Sequence, residues 1–276
     1  MKILFFGDIV GKTGRRAIAK ILPKLKDEFR PDLVMANAEN IAHGKGATLA
    51  TLTALIEAGI DFFTSGNHVF DKPEGKDVFE KYFDKIIRPA NFEGKLSDGS
   101  DLPGKGFVVI HIKKKPVLLI NLNGQVFMEK QYDFGKITNP FVKLDEILSQ
   151  AGGMAKIKIL DFHAEATSEK RGMGFWADGR LSAVLGTHTH VATQDAQILP
   201  NGTGYQTDLG MVGARDSVIG VDKERALKRL LAGPGSQEKI SLEVADSSQY
   251  EAGCVFLEID EDTGKCENIV SRVEYL

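Results

Sequence analysis

Glu39 comes three residues after the apolar run Leu33–Ala36, and a carboxylate placed there needs a partner, because burying an unpaired charge is costly. The same pattern recurs. Gly7-Asp8 follows Lys2–Phe6, and Asn37-Ala38-Glu39-Asn40 follows Leu33–Ala36. Ser65-Gly66-Asn67-His68 follows Ile60–Thr64. His163-Ala164-Glu165 follows Ile157–Phe162, and Gly186-Thr187-His188-Thr189-His190 follows Ala183–Leu185. Each apolar run reads as a buried strand, so carboxylate, amide and imidazole groups gather at strand ends. Oxygen donors combined with imidazole suit Mn, Fe, Zn, Ni or Co. Asp8, Glu39, Asn40, Asn67, His163, His188 and His190 are too many for one ion and enough for two that share a carboxylate. Among them only Asp8 and Glu39 are anionic, so two divalent ions would keep a net positive field toward a phosphate. His188 and His190 stand two apart, so on a continuing strand both would face one side and serve neighbouring ions.

Each piece alone has an ordinary explanation. Gly-Asp after a strand is commonly a turn, Asn40 and Asn67 could be turn residues, and a lone buried histidine is more often a satisfied core residue than a ligand. Their joint recurrence at successive strand ends is what points to a site. Asp208 and Thr167 are candidates for orienting ligands. His43, in Ala42-His43-Gly44-Lys45-Gly46, either approaches substrate or is a solvated loop residue. His111 reads as structural, Lys113–Lys115 as a solvated hairpin tip, and Phe175 and Trp176 as core or a subunit contact.

The elements that must position these groups alternate along the chain. Arg15–Phe29 has helical apolar spacing, with Pro23 expected to kink or break it. Thr48–Ala58 is a second helix. The opening third is therefore β-α-β-α-β, which implies parallel pairing. Phe107–Ile112 and Val117–Leu122 read as a hairpin, Phe141–Gln150 as a helix, Asp222–Leu231 as a helix capped by Asp222, and Cys254–Ile259 with Ile269–Val273 as a closing hairpin. Phe92–Gly106 reads as a surface loop. A mixed sheet, or two packed mixed sheets with helices outside, follows, and residues 1–276 are expected to form one domain. In α/β folds ligands bind at the carboxyl ends of parallel strands, so strands sharing one sheet edge would bring the clusters into one cleft.

Composition narrows the reading. The 276 residues are 42% hydrophobic and 26% charged, with 35 Lys plus Arg against 38 Asp plus Glu and a net charge of −3. That balance argues against gripping a nucleic-acid backbone. No stretch approaches ~18 uncharged apolar residues, so no membrane-crossing helix or membrane partner is expected. Met1–Gly7 runs into Asp8 without the features of a signal peptide, which makes a cytoplasmic location the expectation. The two cysteines, Cys254 and Cys266, are expected to be free thiols, with a turn at Glu261–Gly264 placing Cys254 opposite a residue near Ser271.

Gly7-Asp8, Gly66-Asn67-His68, His163 and Gly186-Thr187-His188-Thr189-His190 together resemble the calcineurin-like metallophosphoesterase superfamily. Two departures, Asp8-Ile9-Val10 in place of Asp-x-His and Asn37-Ala38-Glu39-Asn40 as the second acidic element, match its narrower YmdB-type branch of 2′,3′-cyclic-nucleotide phosphodiesterases. Asp161–Lys170 and Thr207–Met211 also resemble that branch, so the likeness runs from Gly7 to Met211. It implies a four-layer α/β/β/α sandwich of two mixed sheets. It implies two divalent or mixed-valence ions, Fe or Mn foremost and Mg, Zn, Ni or Co possible. Glu39 would bridge them, with Asp8, Asn40 and His190 on one and Asn67, His163 and His188 on the other. His68 would be the proton donor when a cyclic nucleotide, or an RNA end, is opened at its 2′ ester. Val69 stands where the superfamily often has an acid and Asp71 comes later, so the group orienting His68 is left open. Two alternatives stay open on the same centre: a phosphomonoesterase or nucleotidase, and a slow-turnover nucleotide-sensing regulator. A P-loop at Gly7–Thr13 is one residue too short, and no Gly-x-Gly-x-x-Gly follows a strand. A homo-oligomer is expected on general grounds.

Overall fold

The computed structural model describes residues 1–96, 98–128, 135–233, 236 and 238–276. The chain opens with β1 (Lys2–Ile9), α1 (Gly11–Phe29), β2 (Leu33–Asn37), α2 (Leu49–Glu57), β3 (Phe62–Thr64) and α3 (Gly75–Lys81). Next come β4 (Phe92–Gly94), β5 (Phe107–Ile112), β6 (Lys115–Asn123), β7 (Gly135–Ile137), α4 (Pro140–Ala151), β8 (Ile157–His163), α5 (Thr167–Ala177) and β9 (Ala183–Thr187). The last elements are β10 (Gln197–Ile198), β11 (Gly204–Gln206), β12 (Met211–Ala214), α6 (Lys223–Ala232), β13 (Tyr250–Ile259) and β14 (Cys266–Tyr275).

These strands form two mixed sheets, ordered β14-β13-β12-β1-β2-β3 and β10-β11-β9-β8-β6-β5, with β4 and β7 paired apart from them. In the first, β12, β1, β2 and β3 are parallel, β13 runs against them, and the edge strand β14 runs against β13. In the second, β11, β9, β8 and β6 are parallel and the edge strands β10 and β5 are antiparallel. The central strands are apolar on both faces because both faces are covered. Along β1, Leu4 and Phe6 pack outward against Ile18 and Leu22 of α1, whereas Ile3 and Phe5 point inward. Between the sheets they meet Leu119, Ile159 and Leu185. On the far side Leu118, Leu160 and Val184 pack against Leu144 of α4 and Met173 of α5. Three apolar layers thus separate four structural ones, giving the α/β/β/α sandwich.

Several expectations change. Gly7-Asp8 is not a turn: β1 continues through it, and a register shift against β2 between Phe6 and Asp8 re-aims the carboxylate. Helix α1 runs unbroken through Pro23, its buried Ile21, Leu22 and Leu25 holding it on the sheet. The 92–106 segment is not wholly loop, since β4 pairs with β7 and Lys95 bridges to Asp101. Helices α3 and α5 and strands β10 to β12 were not foreseen. All but α5 are short, and α5 buries Glu169 and Lys170 along with Met173 and Ala177 rather than a wholly apolar stripe. His111 is exposed on the edge strand β5 rather than packed in a core. Cys254 lies opposite Arg272, one residue from Ser271, with a register shift at Glu258 and Ile259. Both cysteines are free and buried, and burial pushes the Cys254 thiol up to about 12 and Cys266 up to about 11. Among the described residues no helix is long and apolar enough to cross a membrane.

Candidate metal centre

The donors do not share one sheet edge. Asp8, Glu39, Asn40 and Asn67 come from the carboxyl ends of β1, β2 and β3 in the first sheet. His163 ends β8, and His188 and His190 follow β9 in the second. The cleft therefore lies where the two packed sheets present their strand ends to each other. Nor does β9 continue through the histidines. It stops at Thr187, and His188 and His190 have φ of 104° and 65°. That irregular backbone parts the two rings. His188 Nδ1 lies 3.1 Å from His163 Nε2, while His190 Nε2 lies 3.1 Å from Asn40 Nδ2 and 4.0 Å from Asp8 Oδ1.

Two donor groups result. Glu39, His163 and His188 offer ligand atoms within 4.8 Å of one another, as do Asp8, Glu39 and His190, so Glu39 belongs to both. His163 Nε2 faces Glu39 Oε2 at 3.1 Å, Asn67 Oδ1 at 2.9 Å and His188 Nδ1 at 3.1 Å. A ring nitrogen carries at most one proton and cannot satisfy three acceptors. Atoms bound at right angles about 2.1 Å from one ion would lie about 3.0 Å apart, which is this spacing. Asp8 Oδ1 is buried and, among the described residues, has no hydrogen-bond partner, with imidazole nitrogens 3.8 and 4.0 Å away. A buried carboxylate oxygen left in that state is what a cation would satisfy. Gly66 makes room for the cluster: a Cβ there would lie 2.3 Å from both Glu39 Oε2 and His163 Nε2. The residues fit a pair of cations.

Hydrogen bonds behind the ligands hold each imidazole with a lone pair facing inward. His163 Nδ1 donates to Thr187 Oγ1 at 2.8 Å, and the Thr187 hydroxyl donates in turn to Asp161 Oδ1 at 2.7 Å. Buried Asp161 also accepts from Asn37 and Thr64. His190 Nδ1 donates to the Ile219 carbonyl at 2.8 Å, leaving Nε2 to ligate. His188 is reversed: Nε2 lies 3.0 Å from Glu165 Oε2 and Nδ1 faces the cluster. Asp208 accepts from the buried Lys170 ammonium and, at 3.1 Å, from the Thr189 amide, fixing the loop between the two histidines. Thr167 is exposed at the start of α5, and Thr187 takes the orienting role instead. Thr187, Asp161, Lys170 and Glu165 had no assigned part in the sequence reading. A polar Asp161 inside the apolar run Ile157–Phe162 was the signal available.

Electrostatics agree with a site that draws positive charge. Burial raises Asp8 to about 6, against the pull of His190 and His163. Burial would lower His163, but the adjacent Glu39 carboxylate, with Asp8 and Asp161, outweighs it and raises the imidazole to about 9. Glu39 in turn, though burial pushes it up, is held below the usual carboxylate range by His163. Burial and then His163 drive His188 down to about 2. The carboxylates thus draw positive charge toward His163, as they would draw a cation bound beside it.

His68 sits beside the donors, its amide 3.1 Å from Glu39 Oε2 and its ring lining a cavity of ≈ 450 Å³. Its Nδ1 is 2.8 Å from Asp71 Oδ2, because a turn closed by the Asp71 amide on the His68 carbonyl brings the acid back under the ring. Asp71 is therefore the orienting group left open by the sequence. His43 lines the same cavity. Phe175 and Trp176 are half exposed, Trp176 lying edge-on to Phe141, and neither is core.

The family model described as YmdB-like protein matches residues 4–272. The chain is 41% identical over 271 residues to the 2′,3′-cyclic-nucleotide 2′-phosphodiesterase of Bacillus subtilis (strain 168), spanning 98% of this chain and 95% of that protein. A crystal structure of a novel phosphatase from Mycoplasma pneumoniae superposes with a TM-score of 0.88 at 34% identity, covering 100% of this chain and 93% of that one. The calcineurin-like phosphoesterase YfkN from Bacillus subtilis superposes with a TM-score of 0.57 over 99% of this chain and 90% of its own. At 13% identity that likeness concerns the fold alone. The protein described here belongs to the YmdB-like family and has the calcineurin-like phosphoesterase fold.

Proposed function

We propose that the protein is a metal-dependent phosphodiesterase that hydrolyses 2′,3′-cyclic nucleotides, cutting the 2′ ester to release 3′-nucleotides. The observation that carries this reading is the pair of donor groups sharing Glu39, in a chain 41% identical to a protein named for that activity. Asp8, Asn40 and His190 would hold one ion, and Asn67, His163 and His188 the other, with Glu39 between them. The mixed oxygen and nitrogen set suits Mn, Fe, Zn, Ni or Co, and the family resemblance puts Fe or Mn foremost, with Mg as a further substitute. Bound there, two divalent ions would supply Lewis acidity and a nucleophilic water at neutral pH.

The chain's own groups do the rest. With Asp8 and Glu39 the only anions among its ligands, the centre keeps an attraction for the phosphate. His68 stands on the cavity wall with Nδ1–H tied to Asp71, so it acts as a proton donor in its imidazolium form, whose Nε2 proton is the one delivered to the departing 2′ oxygen. Asp71 orients the ring and, as a carboxylate, stabilises its positive charge, whereas Ile219, Thr187 and Glu165 hold the ligating rings with a lone pair inward. The proposal extends to RNA ends bearing the same cyclic phosphate, to a cytoplasmic location and to a homo-oligomer.

The test is turnover of 2′,3′-cyclic AMP by Mn-loaded protein with the 2′- and 3′-monophosphates resolved. Adenosine 3′-monophosphate is expected. The 2′-monophosphate, or no turnover by protein shown to hold two metal ions per chain, would reject it.

A further inference from the structure

The cavity beside the donors has two unlike ends. One carries Glu39, Asn40, His68, His188 and His190; the other is mainly apolar, with Val10, Ile219, Val221, Leu242 and Val244, and Glu243 also lines the cavity. At ≈ 450 Å³ it falls in the range of small-ligand clefts, about 300–1,000 Å³. The apolar end is built, not incidental. Val221 bridges Val244, the Asp222 amide donates to the Glu243 carbonyl at 2.8 Å, and the Ala245 amide to the Gly220 carbonyl at 2.9 Å. Thr13 of α1 anchors the same segment through the Ala245 carbonyl at 2.8 Å. The loop bearing His43 presses so closely on it that a Cβ on Gly44 would lie 2.5 Å from Val244 Cγ2.

Ile219 joins the two ends. Its φ is 49°, a left-handed conformation that a β-branched residue adopts only under strain. That strain coincides with two contacts: its carbonyl receives His190 Nδ1 at 2.8 Å, and its half-exposed side chain lines the cavity. Leu242 also lines the cavity and is 45% exposed, and an apolar surface facing water gains by being covered.

We infer that this wall binds the organic half of the substrate, an aromatic base packed by apolar contact against Ile219 and Leu242, while the cyclic phosphate lies at the donor end. The inference rests on the phosphodiesterase reading above. It separates a nucleotide from other five-membered cyclic phosphodiesters, because glycerol 1,2-cyclic phosphate presents the same reacting group without a base.

The experiment compares kcat/KM for 2′,3′-cyclic AMP and for glycerol 1,2-cyclic phosphate in the full metal-loaded chain. The wild type should favour the nucleotide by about tenfold or more, the scale of a lost apolar contact in a pocket. Leu242→Ser should reduce that preference about tenfold, through KM on the nucleotide. Ile219→Gly is the second variant. Glycine accepts the positive φ, so the carbonyl to His190 is kept while the side chain is lost, and the same fall in preference is expected. Leu231→Ser, on the outer face of α6 at 87% exposure, should leave the preference as it was. Equal wild-type efficiency on both substrates, or an unchanged preference in Leu242→Ser and Ile219→Gly, overturns the base site while the phosphodiesterase reading stands. Turnover of neither substrate by protein holding two metal ions overturns the reading and the inference with it.

Discussion

His68 and Glu39 meet through one hydrogen bond between the His68 amide and the Glu39 carboxylate, yet they should fail in different ways. Glu39 is buried and common to both donor groups. Glu39→Gln preserves its shape and removes its charge, so metal analysis should find occupancy sharply reduced. A two-metal content unchanged from the wild type would remove Glu39 from the bridging position. His68 is partly exposed and belongs to neither donor group. His68→Ala should keep its metals and lose turnover by ~10²–10⁴-fold on a substrate with an alkoxide leaving group, the range for a missing proton donor. Asp71→Asn should lose less, because an amide oxygen still accepts from Nδ1. Measuring metal content and turnover on the same preparations separates the roles.

At the scale of elements, the strand ends and the turns after them set the site. β3 ends at Thr64, and the chain turns through Ser65 and Gly66 directly beneath Glu39 and His163. Gly66→Ala would place a methyl 2.3 Å from both ligand atoms, each on a buried side chain with little room to retreat. The expected outcome is a folded protein by circular dichroism with lowered metal content. Gly153→Ala, where nothing lies within 4 Å of the added carbon, should leave metal content as it was and serves as the control. Equal metal content in the two variants would show that the crowding is relieved without cost to the centre. Strands β1, β2, β3, β6, β8 and β9 were legible, because apolar runs buried on both faces need no knowledge of their partners. Helix α5 was not, since its inward face carries Glu169 and Lys170, whose partners Gln125, Val126, Thr187 and Asp208 come from elsewhere in the chain.

Across the whole molecule, core and site both span the sheet-to-sheet interface. Ile3 and Phe5 of one sheet pack on Leu119 and Ile159 of the other, and Asp8 accepts from the His188 amide across the same junction. Parting the sheets would expose the central core and scatter the donors together. We therefore expect residues 1–276 to unfold in one cooperative transition, with calorimetric and van't Hoff enthalpies equal, and the midpoint to rise with bound metal. Two resolved transitions, or a midpoint indifferent to metal, would contradict that coupling.

The amino-acid sequence by itself determined the chemistry: which residues could donate to a cation, that they follow strands, and that few of them are charged. These are local properties, carried by the apolar run and the polar residues immediately after it. It also carried the family's motifs. What it did not contain was the meeting of two sheets in place of one edge, or the choice of Nδ1 on His188 against Nε2 on His163 and His190. It did not assign Asp71 to His68 or the Ile219 carbonyl to His190, and it did not foresee the apolar wall around Leu242. Each depends on groups that approach only after folding, as when the backbone of His188 reaches Asp8 across 180 residues of chain. Residue type and local period supply the donors, but their orientation is fixed by hydrogen bonds and packing between distant segments, and only the tertiary structure decides those.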